Sequence, residues 1–136
     1  MTRQASLVVC DELYFNMTGK LTVQGMYTGD IFISGAEAAT TQLVFLFILD
    51  CDIAERPNII RLQVTLPGDL PRESIPPLAL TTTTPVLTDR SKLTYKLPFL
   101  YALPTLRVGR ISAKVIFDQE EVSVVAPWIS PITPIG

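Results

Sequence analysis

The sequence predicts an all-β fold, a two-sheet antiparallel β-sandwich of about eight or nine strands with immunoglobulin-like or C2-like topology. Three observations carry this. Apolar and polar residues alternate with a period of two in several separate stretches, the signature of a strand with one buried face. Glycine and proline clusters interrupt those stretches at regular spacing. No segment has the length of a stable helix: Ala36-Glu37-Ala38-Ala39 offers one turn at most and reads as a loop. A closed barrel is the second architecture the pattern allows. With 136 residues there is room for one domain, 1–136, and no visible boundary divides it.

The opening stretch, residues 6–27, founds the sheet. The apolar run Leu7-Val8-Val9-Cys10 is closed by Asp11-Glu12, and after a polar loop Leu21 and Val23 alternate with Thr22 and Gln24. The two strands are expected to pair antiparallel, with Gly19 ending the loop. Gly25 interrupts the second strand, which predicts a bulge or a close backbone approach. Thr28-Gly29-Asp30 is a turn, followed by a short strand at Ile31-Phe32-Ile33. Residues 43–49, Leu-Val-Phe-Leu-Phe-Ile-Leu, contain no polar alternation, so both faces should be covered. One cover is the opposing sheet; the other is a loop flap or a second copy of the chain.

Ile60, Leu62, Val64 and Leu66 then alternate with polar residues, pointing inward. Prolines from Pro67 to Pro85, including Pro76-Pro77, confine that segment around Thr81-Thr82-Thr83-Thr84 to an irregular edge strand. Leu93, Tyr95 and Leu97 resume the alternation. Pro98 and Pro104 bracket Phe99-Leu100-Tyr101-Ala102-Leu103, which reads as an apolar loop covering the core or a partner. Ile111, Ala113, Val115 and Phe117 form another inward row, and a turn at 118–121 leads into 122–125, a C-terminal hairpin. Pro127-Trp128-Ile129-Ser130-Pro131-Ile132-Thr133-Pro134-Ile135 is an extended apolar tail. Its prolines exclude it from the middle of a sheet, and its Trp and Ile residues require it to be docked.

The pattern of an apolar strand ending in Cys10-Asp11-Glu12, then Gly19-Lys20-Leu21-Thr22-Val23-Gln24-Gly25-Met26-Tyr27, resembles the start of a family of small bacterial all-β proteins of unknown function. The specific likeness covers about the first fifth of the chain. It implies a compact all-β bacterial protein and supplies no catalytic residues to transfer.

Composition narrows the chemistry. The chain has no histidine, which excludes Ser-His-Asp and Cys-His arrangements within it, and it carries no P-loop, dinucleotide fingerprint or G-x-S-x-G. Glu120-Glu121 reads as a solvated turn tip. Interspersed charges with a net of −2 give no basic footprint for nucleic acid. The opening apolar run is too short for a signal peptide, and no segment is long enough for a membrane-spanning helix, which makes the cytoplasm the expected location. Cys10 and Cys51 are expected as reduced, buried thiols, their relative placement left open.

The expectation is therefore a non-enzymatic binding or structural module without a cofactor, acting through a protein surface. Its expected partner is a second copy, as a homodimer, or another protein; neither nucleic acid nor membrane is expected. Positive mean hydropathy, the apolar 99–103 segment and the tail nominate Phe99, Tyr101, Trp128, Ile129 and Ile132 as interface residues. The alternative is a small-ligand or calcium site built from Asp11, Glu12, Asp50 and Asp52. It requires the strands ending at Cys10 and Asp50 to run in the same direction.

Overall fold

A computed structural model of the chain describes residues 3–15, 21–75, 83–86 and 89–132. Strands follow one another as β1 (Gln4–Cys10), β2 (Glu12–Phe15), β3 (Leu21–Gln24), β4 (Ile31–Ile33), β5 (Glu37–Ala39), β6 (Gln42–Asp52), β7 (Ile60–Thr65) and β8 (Arg72–Ser74). Then come β9 (Thr83–Val86), β10 (Asp89–Ala102), β11 (Thr105–Arg107), β12 (Gly109–Arg110), β13 (Ser112–Phe117), β14 (Glu120–Val124) and β15 (Trp128–Pro131). The protein is an all-β sandwich. One sheet has the order β1-β6-β10-β9 and the other β14-β13-β7-β8, every neighbouring pair antiparallel.

Parity builds the core. Leu7 and Val9 pair with Phe47 and Phe45, which pair in turn with Leu97 and Phe99, so the odd-numbered residues of three strands share one face. Ile60, Leu62 and Val64 lie opposite Phe117, Val115 and Ala113 on the inner face of the second sheet. Together these rows form a single buried cluster. The second face of β6 is covered as well: Val44 and Leu46 are buried. The β2–β3 hairpin supplies part of this cover, with Leu13 facing Val44, Pro98 and Leu100 across a groove of about 340 Å³.

Several expectations are corrected by the pairing. The run 7–10 does not pair with 21–24; β1 is the edge partner of β6, and the hairpin is made by β2 and β3. Within 36–39, read as a loop, Glu37–Ala39 is the strand β5, which pairs with β11. Phe99 and Tyr101 belong to no loop. They continue the 14-residue β10, with their rings packed around Phe45 at centroid distances of 6.4 and 6.2 Å. Pro98 lies inside this strand, opposite Leu46 and beyond the last described pair of β10 with β9, Tyr95 with Thr83. The 127–132 segment also enters a sheet, as the middle strand of β12-β15-β4. Its prolines stand before the strand and at its last position, so the interior amides remain available.

Other expectations hold. Among its described residues the segment after Pro67 contributes edge strands, β8 in one sheet and β9 in the other. The C-terminal hairpin is present as β13–β14, but its turn is confined to Asp118-Gln119: Glu120 and Glu121, read as the turn tip, belong to β14 opposite Phe117 and Ile116. Gly25 has a φ of +69°, and a Cβ there would collide with the Asp11 carboxylate, which is the close approach the broken strand predicts. The readings at Gly19, at 76–82 and at 133–136 lie outside the described residues.

Both ends of the sandwich are latched by an aspartate. Asp118, at φ +56°, accepts hydrogen bonds from the Asn58 and Ile59 amides at 2.9 and 3.1 Å, with the Arg3 guanidinium 3.6 Å away. At the other end Asp69 accepts the Tyr101 hydroxyl at 2.8 Å and an Arg107 N–H at 3.3 Å, while Arg72 lies 3.9 Å over the Tyr101 ring. Phe45 stands where β1, β6 and β10 share their inner row, and it is fully buried. Replacing it with alanine is expected to cost about 3–5 kcal/mol of stability by urea denaturation, a large share of a typical domain's total.

Candidate docking surface

The four carboxylates named for a metal do not meet. Because β1 is antiparallel to β6, Cys10 lies opposite Val44 while Gln4 lies opposite Asp50, which puts Asp11 and Glu12 at one end of the sheet and Asp50 and Asp52 at the other. Each has a local task or position. Asp11 accepts the Tyr27 hydroxyl at 3.1 Å, Glu12 accepts the Tyr14 hydroxyl, and Asp50 accepts the Thr94 hydroxyl at 2.6 Å. Asp52 ends β6 just before the 3-10 turn Ile53–Glu55. Among the described residues no group of three or more Asp, Glu, Cys or His side chains is arranged to hold a metal ion. The convergence on which the calcium reading depended is therefore absent.

The five nominated interface residues divide. Phe99, Tyr101 and Ile129 are buried in the chain's own core because all three fall on inward positions of their strands. Trp128 and Ile132 point outward and are 53% and 57% exposed. They belong to the outer face of the β12-β15-β4 sheet, whose inner face contributes Ile31, Ile33 and Ile129 to the core. Ile129 pairs with Ile31 and Ser130 with Phe32, so Phe32 stands beside Ser130 on the same outer face and is 62% exposed. Phe32 was missed in the sequence. The signal was present in the three-residue strand Ile-Phe-Ile, where a period of two forces one large apolar residue outward, but the sequence does not say which face is inward.

Across this face runs one charged row. Arg110 pairs with Trp128 on one side, and Asp30 flanks Trp128 on the other, one step before the Ile31–Ile129 pair. Asp30 is oriented by the Ser130 hydroxyl, which donates to it at 2.9 Å. Arg110 makes no ion pair or hydrogen bond among the described residues. Trp128 is also a wall between two hollows of about 250 Å³ each, one on the Arg110 side and one bounded by Leu7, Val9, Tyr27 and Asp30. Val125, 91% exposed, and Ala126 line both. A hollow this small lies below the usual range for small-molecule sites and is of the size that receives a single side chain.

Both thiols and the Tyr101 phenol are shifted upward by burial. Cys10 and Cys51 are both free and buried. Burial raises the Cys10 thiol pKa above its ordinary value, and the neighbouring Asp11 carboxylate adds to this. Burial does the same to Cys51, with Arg3 opposing. The two lie at opposite ends of β6, roughly 23 Å apart at about 3.3 Å per residue, far beyond the reach of a disulfide. The Tyr101 hydroxyl is pushed up to about 12, first by burial and then by its hydrogen bond to Asp69.

Two outcomes are expected. The native protein should show no fast reaction with Ellman's reagent and two titratable thiols once denatured; a mass two protons short under non-reducing conditions would overturn this. For Tyr101, a raised folded pKa means that its stabilising contribution is complete below about pH 10 and is lost as pH rises toward 12. Unfolding free energy should fall across that window more steeply in the wild type than in Tyr101→Phe, and parallel slopes would refute the assignment.

Comparison of the chain with family models, curated proteins and solved structures finds no match, so its own surface is the evidence for what it does.

Proposed function

We propose that this chain is a non-catalytic binding or structural module that acts through a protein surface, the outer face of the β12-β15-β4 sheet. The observation that carries the reading is the exposure of Trp128, Phe32 and Ile132 on one face of a sheet whose other face fills the core. At about 25 cal/mol per Å² of apolar area, leaving such side chains in water forgoes several kcal/mol that a partner would recover. A contiguous apolar patch with a polar rim is the usual mark of an interaction site, and tryptophan and arginine are the residues on which such sites concentrate their energy.

Two further features fit the reading. The strand orders β1-β6-β10-β9 and β14-β13-β7-β8 correspond to the A-B-E-D and G-F-C-C′ sheets of an immunoglobulin-like sandwich, a fold that commonly serves recognition. That correspondence favours the immunoglobulin-like topology over the C2-like one, although the inter-sheet cysteine pair of antibody domains has no counterpart here: both cysteines are free and lie in the β1-β6-β10-β9 sheet. The two free thiols suit a reducing compartment, and we place the module in the cytoplasm. No helix among the described residues is long and apolar enough to cross a membrane.

A photo-crosslinking residue placed at Phe32 or Trp128 in living cells should trap a protein in a discrete adduct. The same residue at Gln119, on the hairpin tip at the far end of β13, should trap none. Absence of adducts at both patch positions, or equal trapping at all three, would overturn the reading.

A further inference from the structure

We infer that the partner of this face is a second copy of the chain, docked about a two-fold axis that runs along β15 and stacks Trp128 on its symmetry mate. The inference rests on the reading that the β12-β15-β4 face is a docking surface and adds what docks there. It comes from the order of side chains across the sheet. Reading from β12 through β15 to β4, the outer row is Arg110, Trp128, Asp30: a cation, an aromatic, an anion. Rotation about an axis along the middle strand exchanges the two flanks when one such face is laid on another. Arg110 of each copy then meets Asp30 of the other, twice in the dimer, and Trp128 lies on Trp128.

The alternative in-plane axis, across the strands, would set Arg110 against Arg110 and Asp30 against Asp30. Like charges face to face are strongly disfavoured, so the charges select the axis as well as the partner. The apolar residues follow the same rule. Phe32 stands on the β4 flank, and the exposed apolar residue on the β12 flank is Val108, just before Gly109. The exchange that joins Arg110 to Asp30 brings each Phe32 toward the other copy's Val108. Ile132, beyond the end of β15, falls near the axis.

The surface is also prepared for this use. Asp30 is held by Ser130, while Arg110 has no partner among the described residues to give up. Phe32, Val108, Val125, Trp128 and Ile132 together offer roughly 500 Å² of apolar area per copy, the greater part of the ~800 Å² that each partner buries in a standard interface. An isologous contact of this kind closes on itself, so it yields a dimer rather than a fibre.

Sedimentation of the wild type should give a dimer in the micromolar range. Arg110→Asp makes the row wholly acidic and Asp30→Arg makes it wholly basic, and each alone should weaken association by roughly tenfold or more. Mixed one to one, the two variants present opposite charges at both exchange positions, and the mixture should sediment as a heterodimer. Circular dichroism and melting confirm that each variant is folded; Arg110→Asp, which removes no hydrogen bond or ion pair among the described residues, decides the matter even if Asp30→Arg does not fold. Trp128 is the only tryptophan in the chain, so dilution of the wild-type dimer should shift its emission to longer wavelength. A wild type that stays monomeric, an Arg110→Asp variant that dimerises as well as wild type, folded variants whose mixture stays monomeric, or dissociation without an emission shift would each overturn the two-fold docking. A wild-type monomer whose Trp128 still crosslinks to another protein would overturn this inference while leaving the docking reading in place.

Discussion

Everything in this sandwich depends on β6 being buried on both faces while pairing along its length with β1 and β10. A strand with no polar alternation has no face to give to water, so its position at the centre of a sheet is dictated before any contact is specified. Once it is central, the period of two does the rest. A shift of one residue against β1 or β10 would turn Leu7, Val9, Leu97 and Phe99 from the core to the outside, and such a slip would sacrifice many kcal/mol at once. Register here is set by the hydrophobic pattern of all three strands together rather than by a tight turn, since long segments separate them in the chain.

The two ends of the sandwich show how polar groups are used once the apolar rows have fixed the register. Asp118 with Arg3 and Phe117 closes one end, and Asp69 with Arg107, Arg72 and Tyr101 closes the other. Each aspartate joins a turn to a residue distant in sequence, and each has an arginine near an aromatic ring at the core boundary. The carboxylates that resembled a ligand set in the sequence are spread out in the same way. Asp11 fixes the backbone around Gly25, and Asp50 fixes the Thr94 hydroxyl across the β6–β10 pair. Glu12 opens β2 and Asp50 lies within β6 rather than past a strand end, and Asp11, Glu12 and Asp50 each accept a neighbouring hydroxyl, which gives each a local role.

Faces were legible in the sequence; partners were not. The inward rows of β7 and β13, the double burial of residues 43–49, the C-terminal hairpin and the special backbone at Gly25 all follow from local pattern, and all are present. Periodicity says which side of a strand is apolar, but it carries no information about which strand lies alongside. The run 7–10 was therefore assigned to the nearest alternating neighbour, although its partner is β6, some thirty-five residues away along the chain. Proline caused the other errors. Pro98 looks like a strand end, yet β10 runs through it, with Pro98 opposite Leu46. Pro127 and Pro131 look incompatible with a central strand, yet they border the residues that pair. Whether a proline can enter a strand is a tertiary property; once these segments pair, parity alone puts Phe99, Tyr101 and Ile129 inside and Trp128 outside.

The exposure of Trp128 is in turn a consequence of the pairing that buries Ile129. In a strand these adjacent residues must point to opposite faces, so anchoring the C-terminal segment through Ile129 presents Trp128 to the outside. The same holds across the sheet, where Ile31 and Ile33 enter the core and leave Phe32 outward. Nothing in that geometry requires the outward residues to be aromatic; serine or threonine would close the sheet equally well, as Ser130 does between them. A fold that needs only Ile31, Ile33 and Ile129 for its own cohesion nevertheless carries Phe32, Trp128 and Ile132 on the other side, with a cation on one flank and an anion on the other. The inner row explains the stability of the small sheet. The outer row is surplus to it, and it is on that surplus that the proposed docking rests.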